Sequence, residues 1–437
     1  MRKRSCKHIQ EAIYFGPDEI RTCCQRFFYK GEMKGDASLI KIDENRDVGY
    51  EEIVAAKKEL LEKIQNNEES QCKGCPQLES KEWQPIDSAP LRTISVENHS
   101  LCNMKCTYCS ALYFGGVKPK YDAIQAIETA PVSDSDLNIV WGGGEPTARP
   151  DFDDIFNQFN DHYSPINQRI FTNALLYSPA IQDKLDASKT AITTSIDAGT
   201  EETFKLVRKN RGLHKVLGNL AKYSAVNPSL VTVKYILTED NHHLDELDAF
   251  VQLMAEYGLE NCHFLISTDF KSPELNDDML YAGLHLYCSL FARGINAVNM
   301  DDHFFNRVGQ TQSLFELFTA LSTERGSDDH LLQKLDGAVR NRVSGPVVLW
   351  GTGQQSKVLM NRIARNGKSL FQVNAFVDSN PESWGSEFLK KDVLAPKDIA
   401  ESDCGILIAS SNYYSEIYQR IVKAGISPTR IIPNILV

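Results

Sequence analysis

The stretch Ser100-Leu-Cys-Asn-Met-Lys-Cys-Thr-Tyr-Cys-Ser110 places three cysteines, Cys102, Cys106 and Cys109, in C-x3-C-x2-C spacing. Three thiolates this close in the chain can bind three irons of a cubane iron–sulfur cluster and leave the fourth iron without a protein ligand. An open metal position is where a small molecule can bind and react. The alternatives are a zinc knuckle, which needs four ligands, or cysteines that are buried in a core.

A second element follows a short apolar run further along the chain and reads Gly142-Gly-Gly-Glu145-Pro146. Glycines allow a backbone to approach a ligand closely and to adopt conformations that other residues avoid. A glycine-rich loop can also be a plain turn, so this element gains weight only from its position after a strand and downstream of the three cysteines.

The cysteine motif and the glycine element, in this order, resemble the radical S-adenosylmethionine (SAM) family. The resemblance implies a [4Fe–4S] cluster on Cys102, Cys106 and Cys109, whose open iron binds the amino and carboxylate groups of SAM. It also implies that the adenine packs on Tyr108 and that the SAM amino group is held by the remaining motif residues, Gly142, Gly143, Gly144 and Glu145.

Polar residues at predicted strand ends are candidates for contacts with the SAM ribose or the substrate, again as the resemblance implies. They are Thr172, Asn173, Ser195 and Asp197. Arg208 either pairs with the SAM carboxylate through its bidentate guanidinium or is an ordinary surface charge.

The chemistry implied by the resemblance is reductive cleavage of SAM to methionine and a 5′-deoxyadenosyl radical, which removes hydrogen from an unactivated C–H bond. The cofactor supplies the difficult chemistry, and the protein positions the target carbon and excludes water. An electron donor such as flavodoxin or ferredoxin is implied as a partner.

From Leu91 onward, strand-like and helix-like segments alternate, which predicts parallel βα units. About six units predict an α/β fold built on a partial (β/α)6 TIM-like barrel, open on one side, with the active site at the carboxyl ends of the strands. The predicted strands, of which the sixth is taken as the last, are Arg92–Glu97, Leu137–Trp141, Gln168–Thr172, Thr190–Ile196, Leu230–Leu237 and His263–Ser267.

The first 90 residues hold five further cysteines around a predicted helix over Val48–Gln65. Four ligands from this set could close a second [4Fe–4S] cluster with no open iron. The arrangement resembles SPASM-type auxiliary-cluster modules, although those usually follow the barrel. A zinc site and a redox-active dithiol are the alternatives. The predicted four ligands are Cys6, Cys72, Cys75 and one of the two adjacent cysteines Cys23 and Cys24.

The last segment begins with an apolar strand that runs into Gly351-Thr-Gly353 and a helix, as in a Rossmann-like βα unit. Asp378 ends a second predicted strand, where an acidic residue could reach a ribose hydroxyl. The fingerprint is incomplete because Ser356 occupies the position of the third glycine. The alternative is a structural or oligomerisation domain.

Four segments are therefore expected. Residues 1–90 form a cysteine-rich auxiliary-cluster segment, 91–300 the partial barrel, 301–344 a helical connector and 345–437 a Rossmann-like domain.

Composition limits the location and the partners. The 437 residues carry 47 Lys and Arg against 58 Asp and Glu, a formal net charge of -11, which disfavours a general nucleic-acid or anionic-membrane binder. No apolar run of about 18 residues and no secretory signal is found, so a cytoplasmic location is expected. Clustered cysteines in such a chain favour metal binding over disulfides, and the scattered Cys262, Cys288 and Cys404 are expected to be buried.

Three functional hypotheses follow. The first is a radical SAM oxidoreductase-type enzyme that acts on a sugar or another nucleotide-linked small molecule, because a Rossmann-like module could bind a nucleotide handle. The second is a radical SAM enzyme that modifies a peptide or protein. The third is an iron–sulfur redox-sensing interaction protein without catalysis.

Overall fold

The computed structural model describes residues 2–30, 32–110, 114–133, 137–165, 167–187, 190–269, 271, 275–301, 304, 313–326, 330–365, 371–410 and 413–436. The chain forms two compact units. The first comprises residues 1–105 and 109–193, and the second comprises residues 106–108 and 194–437.

The first unit begins with short strands and two helices in the cysteine-rich segment. These are β1 (Lys3–Ser5), α1 (Lys7–Glu11), β2 (Ala12–Phe15), β3 (Glu19–Arg21), β4 (Arg26–Tyr29), β5 (Glu32–Gly35), β6 (Ser38–Lys41), α2 (Tyr50–Gln65) and β7 (Glu79–Lys81). The α2 helix confirms the helix predicted between the cysteines. Antiparallel pairs join β2 to β3, β3 to β6, β4 to β5 and β1 to β7.

The rest of the first unit is a parallel α/β layer. Its elements are β8 (Thr93–Val96), β9 (Asn138–Trp141), α3 (Phe152–Tyr163), β10 (Asn167–Phe171), α4 (Pro179–Asp186) and β11 (Thr190–Ser195), the last two residues of β11 belonging to the second unit. The parallel order is β2, β8, β9, β10 and β11. The cysteine-rich segment thus adds β2 to the same sheet as the predicted barrel strands.

Aromatic packing explains why α3 covers this sheet. The indole of Trp141 on β9 makes edge contacts with the rings of Phe152, Phe156 and Phe159, at centroid distances of 5.9, 5.4 and 5.0 Å. These three phenylalanines lie at helical spacing on one face of α3 and are buried, so their burial fixes the helix against the strand.

The second unit continues the βα pattern. Its first elements are α5 (Glu201–Arg208), α6 (Leu213–Val226), β12 (Val231–Leu237), α7 (Leu244–Glu256), β13 (His263–Thr268), α8 (Asp277–Ala292) and β14 (Val298–Met300). Strands β12, β13 and β14 are parallel neighbours. The prediction that β13 is the last of these strands was wrong, because three residues of β14 are too few to show an alternating pattern in the sequence.

Two helices, α9 (Leu314–Arg325) and α10 (His330–Val343), confirm the helical character expected for the connector. A separate five-stranded sheet follows, with elements β15 (Val347–Trp350), α11 (Gln354–Arg365), β16 (Val373–Val377), β17 (Glu387–Phe388), β18 (Lys391–Leu394), β19 (Gly405–Ile408) and α12 (Tyr414–Lys423). Its strand order is β17, β18, β16, β15 and β19, and all pairs except β17–β18 are parallel.

This C-terminal module contacts the amino ends of the strands in its own unit. Tyr414 stacks on His263, the first residue of β13, at 4.9 Å and 8° between the rings. Gln419 Nε2 donates to the carbonyl of Ser229, which precedes β12, at 2.9 Å. The carboxyl ends of β12 and β13 lie about 20 Å away, since each residue of a strand advances the chain by about 3.3 Å.

The scattered cysteines Cys262, Cys288 and Cys404 are buried, as expected. In the described part of the chain, no helix combines the length and the apolar character needed to cross a membrane.

We expect Tyr414→Ala to destabilise the protein by on the order of 3 kcal/mol, because it removes a buried aromatic ring that packs on His263. The matched control is Tyr413→Ala, since Tyr413 is 63 % exposed and its loss should cost within about 0.5 kcal/mol. Thermal unfolding followed by circular dichroism measures both. Equal melting temperatures for the two variants would show that the stacked contact contributes nothing.

Candidate functional site

The three motif cysteines lie in a segment without regular secondary structure. Cys102, Cys106 and Cys109 are each partly exposed. Burial of the Cys106 thiol raises its pKa. Among the described residues, no three Cys, His, Asp or Glu side chains already stand in the geometry of a bound metal ion. The donor type and the spacing fit three irons of a cubane cluster, since each cysteine binds a different iron.

The glycine loop packs against the beginning of the cysteine segment. The Gly144 N–H donates to the carbonyl of His99 at 3.0 Å, and the Glu145 N–H donates to the carbonyl of Leu101 at 2.7 Å. A Cβ at Gly144 would lie 2.1 Å from that Leu101 oxygen, and Gly143 has a φ of 89°. Glycine is required here because two stretches of the same chain approach each other closely.

The Glu145 carboxylate is the centre of a buried hydrogen-bond network at the ends of β9 and β10. Its Oε1 accepts from Thr147 Oγ1 at 2.6 Å and from Thr172 Oγ1 at 2.7 Å, and its Oε2 accepts from the Asn173 N–H at 2.5 Å. Glu145 is 2 % exposed, and burial raises the pKa of its carboxyl. Oε2 retains capacity for one more donor, which an ammonium group could supply.

A side-chain bond links this network to the cysteine segment. Asn173 Nδ2 donates to Asn103 Oδ1 at 2.6 Å, and Asn103 directly follows Cys102. The predicted residues Glu145, Thr172 and Asn173 therefore come together in the first unit. The sequence analysis missed Asn103 and Thr147, although Thr147 lies two residues after Glu145 and Asn103 lies within the cysteine motif.

In the second unit, three predicted residues form a buried cluster. Tyr108 donates its hydroxyl to Asp197 Oδ2 at 2.6 Å, and Arg208 Nη1 donates to the same oxygen at 2.9 Å and also contacts the Tyr108 hydroxyl. The side chains of Arg208 and Asp197 are 5 % and 0 % exposed. Burial raises the pKa of Tyr108 and the Asp197 carboxylate raises it further, although Arg208 opposes the shift, so the hydroxyl stays protonated near neutral pH and can donate.

Asp197 is held from all sides. Its Oδ1 accepts from the Ile236 N–H at 2.7 Å, and Asn241 Nδ2 donates to its backbone carbonyl at 2.9 Å. Its φ of 61° is unusual for a residue with a side chain. Asp197 thus fixes the side chain of Tyr108, which lies between Cys106 and Cys109 in the sequence, close to the end of β11. Ser195, the last residue of β11, lies two residues before Asp197 and is partly exposed.

Arg208 is therefore not an ordinary surface charge. Its guanidinium pairs with Asp197 within the chain, and its Nε has no hydrogen-bond partner among the residues the structure describes. Contact between Arg208 and the SAM carboxylate stays a prediction, as does contact of Asp197 or Ser195 with the ribose.

Of the five N-terminal cysteines, four influence one another. The charge states of Cys6, Cys23 and Cys75 all act on Cys72, and burial with these neighbours raises the pKa of Cys72 to about 12. Burial likewise raises the pKa of Cys6 to about 11. Cys24 is the exposed member of the five, and its thiol contacts Tyr14 and is acted on by the Glu97 carboxylate as well as by the neighbouring Cys23.

Local structure explains this grouping. The β2–β3 hairpin returns the chain to α1, where Thr22 Oγ1 donates to the carbonyl of His8 at 2.7 Å, and this contact brings the chain beside Cys23 to the helix that follows Cys6. The β1–β7 pair brings the end of β1 beside the chain that follows Cys75. A tight turn joins Cys72 to Cys75, with a φ of 80° at Gly74, where a Cβ would meet the Tyr29 ring.

One charged side chain lies buried beside this group. Lys57 on α2 is fully buried, and the charges of Cys6 and Glu11 act on it. Its Nζ has no hydrogen-bond partner in the described residues. Burial lowers the pKa of the Lys57 ammonium to about 7, because a low-dielectric surrounding disfavours the charged form.

In the C-terminal module, the predicted nucleotide-binding residues lie together. Gly351 has a φ of 118° at the end of β15, and Gly353 begins the approach to α11. Asp378 Oδ2 accepts from the Thr352 N–H at 2.9 Å, between these two glycines. The carboxylate is thus engaged inside the loop, and its contact with a ribose stays a prediction.

Comparison with known families identifies the class of domain. Residues 99–265 match the radical SAM superfamily, and residues 344–432 match the family described as C2185-like, N-terminal. The chain thus contains a radical SAM superfamily domain, a class that binds a [4Fe–4S] cluster and SAM, which confirms the family expected from the two motifs. The parallel strands of both units agree with the partial barrel of that class.

Particular relatives cover parts of the chain. A GTP 3′,8-cyclase of Clostridium botulinum is 25 % identical over 162 residues, 36 % of this chain and 50 % of the relative. Mycofactocin maturase MftC of Mycolicibacterium smegmatis is 26 % identical over 219 residues, 48 % of this chain and 53 % of the relative. The chain thus spans about half the length of these curated relatives. Streptococcus suis SuiB bound to S-adenosylmethionine is similar with a TM-score of 0.41 and 15 % identity, over 61 % of this chain and 60 % of SuiB.

We expect Gly144→Ala to lower the iron bound by the Cys102–Cys109 segment, because the added methyl group would displace the Leu101 backbone. The matched control is Gly218→Ala in α6, where a Cβ meets nothing within 4 Å and helix stability should rise by about 0.5–1 kcal/mol. Iron analysis after anaerobic reconstitution measures the effect. Full iron in Gly144→Ala would show that the close approach is not needed for cluster binding.

Proposed function

We propose that the protein is a radical SAM enzyme that removes hydrogen from a nucleotide-linked small molecule such as a sugar nucleotide. The observation that carries the class is the joint position of the motif residues, because the glycine loop and Glu145 are bonded directly to the cysteine segment. When bound, the [4Fe–4S] cluster and SAM would supply the electron and the 5′-deoxyadenosyl radical.

The residues of the first unit would hold the cofactors as follows. Cys102, Cys106 and Cys109 would bind the cluster, and Oε2 of Glu145, which has remaining acceptor capacity, would accept from the SAM ammonium. Thr172 and the Asn173 N–H orient the carboxylate. A buried, fully oriented acceptor is effective because it needs no reorganisation when the ligand binds.

The four grouped N-terminal cysteines would bind a second [4Fe–4S] cluster. Cys6, Cys23, Cys72 and Cys75 supply four thiolates, the number that closes such a cluster with no open iron. Cys24 is left out of this ligand set because its side chain is exposed, whereas Cys23 is buried. A zinc ion is the alternative occupant, and metal analysis of the purified protein distinguishes zinc from an iron–sulfur cluster.

The proposed substrate class is supported by observations other than those that support the cofactors. The name of the GTP 3′,8-cyclase states a nucleotide substrate, and that relative aligns with part of this chain. The C-terminal module gives less support than its sequence suggested, because within its own unit it contacts the amino ends of β12 and β13. A nucleotide bound there would lie at the end of these two strands opposite to their carboxyl ends, where the active site of a barrel is expected.

A second candidate is modification of a peptide. The maturase MftC aligns over a longer part of this chain than the cyclase does, which favours this alternative. Incubation of reconstituted enzyme with SAM, reductant and either a nucleotide-sugar pool or candidate peptides separates the two candidates. Release of 5′-deoxyadenosine stimulated only by peptide would overturn the nucleotide-linked substrate.

Simultaneous replacement of Cys102, Cys106 and Cys109 by Ala should abolish 5′-deoxyadenosine formation, because no thiolate would remain to bind the SAM cluster. Chromatography of the reaction with SAM and dithionite measures the product. Cys288→Ala is the control, since this buried cysteine on α8 lies outside both proposed cluster sites. Iron binding without SAM cleavage in the unsubstituted protein would favour the redox-sensor hypothesis over an enzyme.

Replacing Cys72 and Cys75 by Ala should remove about four iron atoms per chain and leave the other cluster in place. Cys24→Ala is the matched control and should retain all iron, because Cys24 faces Tyr14 and Glu97. Iron, sulfide and zinc analysis measures the outcome. Loss of iron from Cys24→Ala with full iron in the variant that lacks Cys72 and Cys75 would reverse the ligand assignment, and zinc in place of iron would show a zinc site.

A further inference from the structure

Lys57 lies where the sequence would place an apolar residue. On α2 it follows Ile53 by four residues and precedes Leu60 by three, and all three side chains are buried. This spacing puts Lys57 on the face of the helix that packs into the protein. A lysine at such a position usually extends its ammonium group to water, but here the whole side chain is buried.

The position of α2 directs this face toward the N-terminal cysteines. The helix packs against β1 and β6, and Cys6 directly follows β1. Gln65 at the end of α2 exchanges hydrogen bonds with the backbone of Arg4 on β1, which fixes the helix to that strand. Lys57 lies two turns before Gln65 on this anchored helix.

The ammonium group has no hydrogen-bond partner of its own in the described residues. The two groups whose negative charge acts on it are Cys6 and Glu11. Glu11 is already within 3.6 Å of the Arg92 guanidinium. Burying an uncompensated cation is costly, so its retention requires an anion close by in the working protein.

We infer that Lys57 is the buried counter-charge of the Cys6, Cys23, Cys72 and Cys75 site and raises the reduction potential of the iron–sulfur cluster bound there. This inference depends on the second cluster proposed above. Four thiolates give such a cluster a net negative charge, and one-electron reduction adds one more. A nearby cation that water does not screen stabilises the reduced form more than the oxidised form.

The functional consequence is a direction of electron transfer. One electron would move from a substrate radical to the cluster, which oxidises the radical by one electron and reduces the cluster by one. A raised potential favours this transfer, as net oxidation of the substrate requires. Lys57 would act through the cluster, by raising its reduction potential, and not on the substrate itself.

The test uses the full-length chain with Cys102, Cys106 and Cys109 replaced by Ala, so that only the N-terminal cluster is observed. In this background, Lys57→Met should lower the equilibrium constant for one-electron reduction at least tenfold, a shift of about 59 mV to lower potential. Redox titration followed by electron paramagnetic resonance measures the shift. Lys57→Gln provides a second uncharged variant if Lys57→Met does not fold.

Arg4→Gln is the matched control. Arg4 is also a cation whose charge acts on this site, through Cys75, but it is exposed and screened by water. Its loss should therefore shift the potential much less than the loss of Lys57. As a second readout, the metal-free Lys57→Met chain should melt at a higher temperature than the parent, because it no longer buries an unpaired charge.

Two outcomes separate this inference from the proposed second cluster. Absence of iron from the parent chain that lacks the three motif cysteines would overturn both. Bound iron with equal potentials in the parent, Lys57→Met and Arg4→Gln would overturn only the role of Lys57.

Discussion

The buried carboxylate of Glu145 is the constraint on which the first unit depends. It accepts hydrogen bonds from the Thr147 side chain, the Thr172 hydroxyl and the Asn173 backbone, while its own N–H reaches Leu101 at the start of the cysteine segment. Removing an ionised carboxylate from water costs several kcal/mol, so its partners are held in the positions that compensate for this cost. Through its side chain and its backbone N–H, Glu145 thereby joins the ends of β9 and β10 to the start of the cysteine segment.

The second unit contains a buried cluster of a related kind. Asp197 pairs with Arg208 and accepts from the Tyr108 hydroxyl, and Asn241 and Ile236 restrain it further. In both units, charged residues that the sequence suggests for ligand contacts are engaged with the chain itself. Within each unit their hydrogen bonds fix the chain around them, and any ligand would meet the acceptor capacity that remains. Such preorganisation suits a cofactor whose reacting bond must be placed accurately.

The flanking regions contribute differently to the proposed chemistry. The N-terminal cysteines lie in the same unit as the glycine loop, and β2 of that segment pairs directly with β8, the strand that leads to the cysteine motif. An auxiliary cluster there would be continuous with the sheet that carries the SAM site. The C-terminal module instead covers the amino ends of β12 and β13, the end of the strands that serves stability in barrels of this kind. This contact makes a structural or separate binding role easier to understand than delivery of substrate.

The sequence by itself determined the parallel strands, the helix α2 and the two motifs of the radical SAM domain, because apolar periodicity and ligand spacing are local properties of the chain. It left the short β14 unrecognised, since three residues carry no period. It did not show that Cys23 is buried and Cys24 exposed, or that Arg208 is buried. The sequence shows that Lys57 is a charged residue on the apolar face of α2. Only the tertiary structure shows that its ammonium group is buried and close enough to Cys6 for the two charges to interact. The tertiary structure decided these points because burial and pairing depend on residues that are distant in the chain.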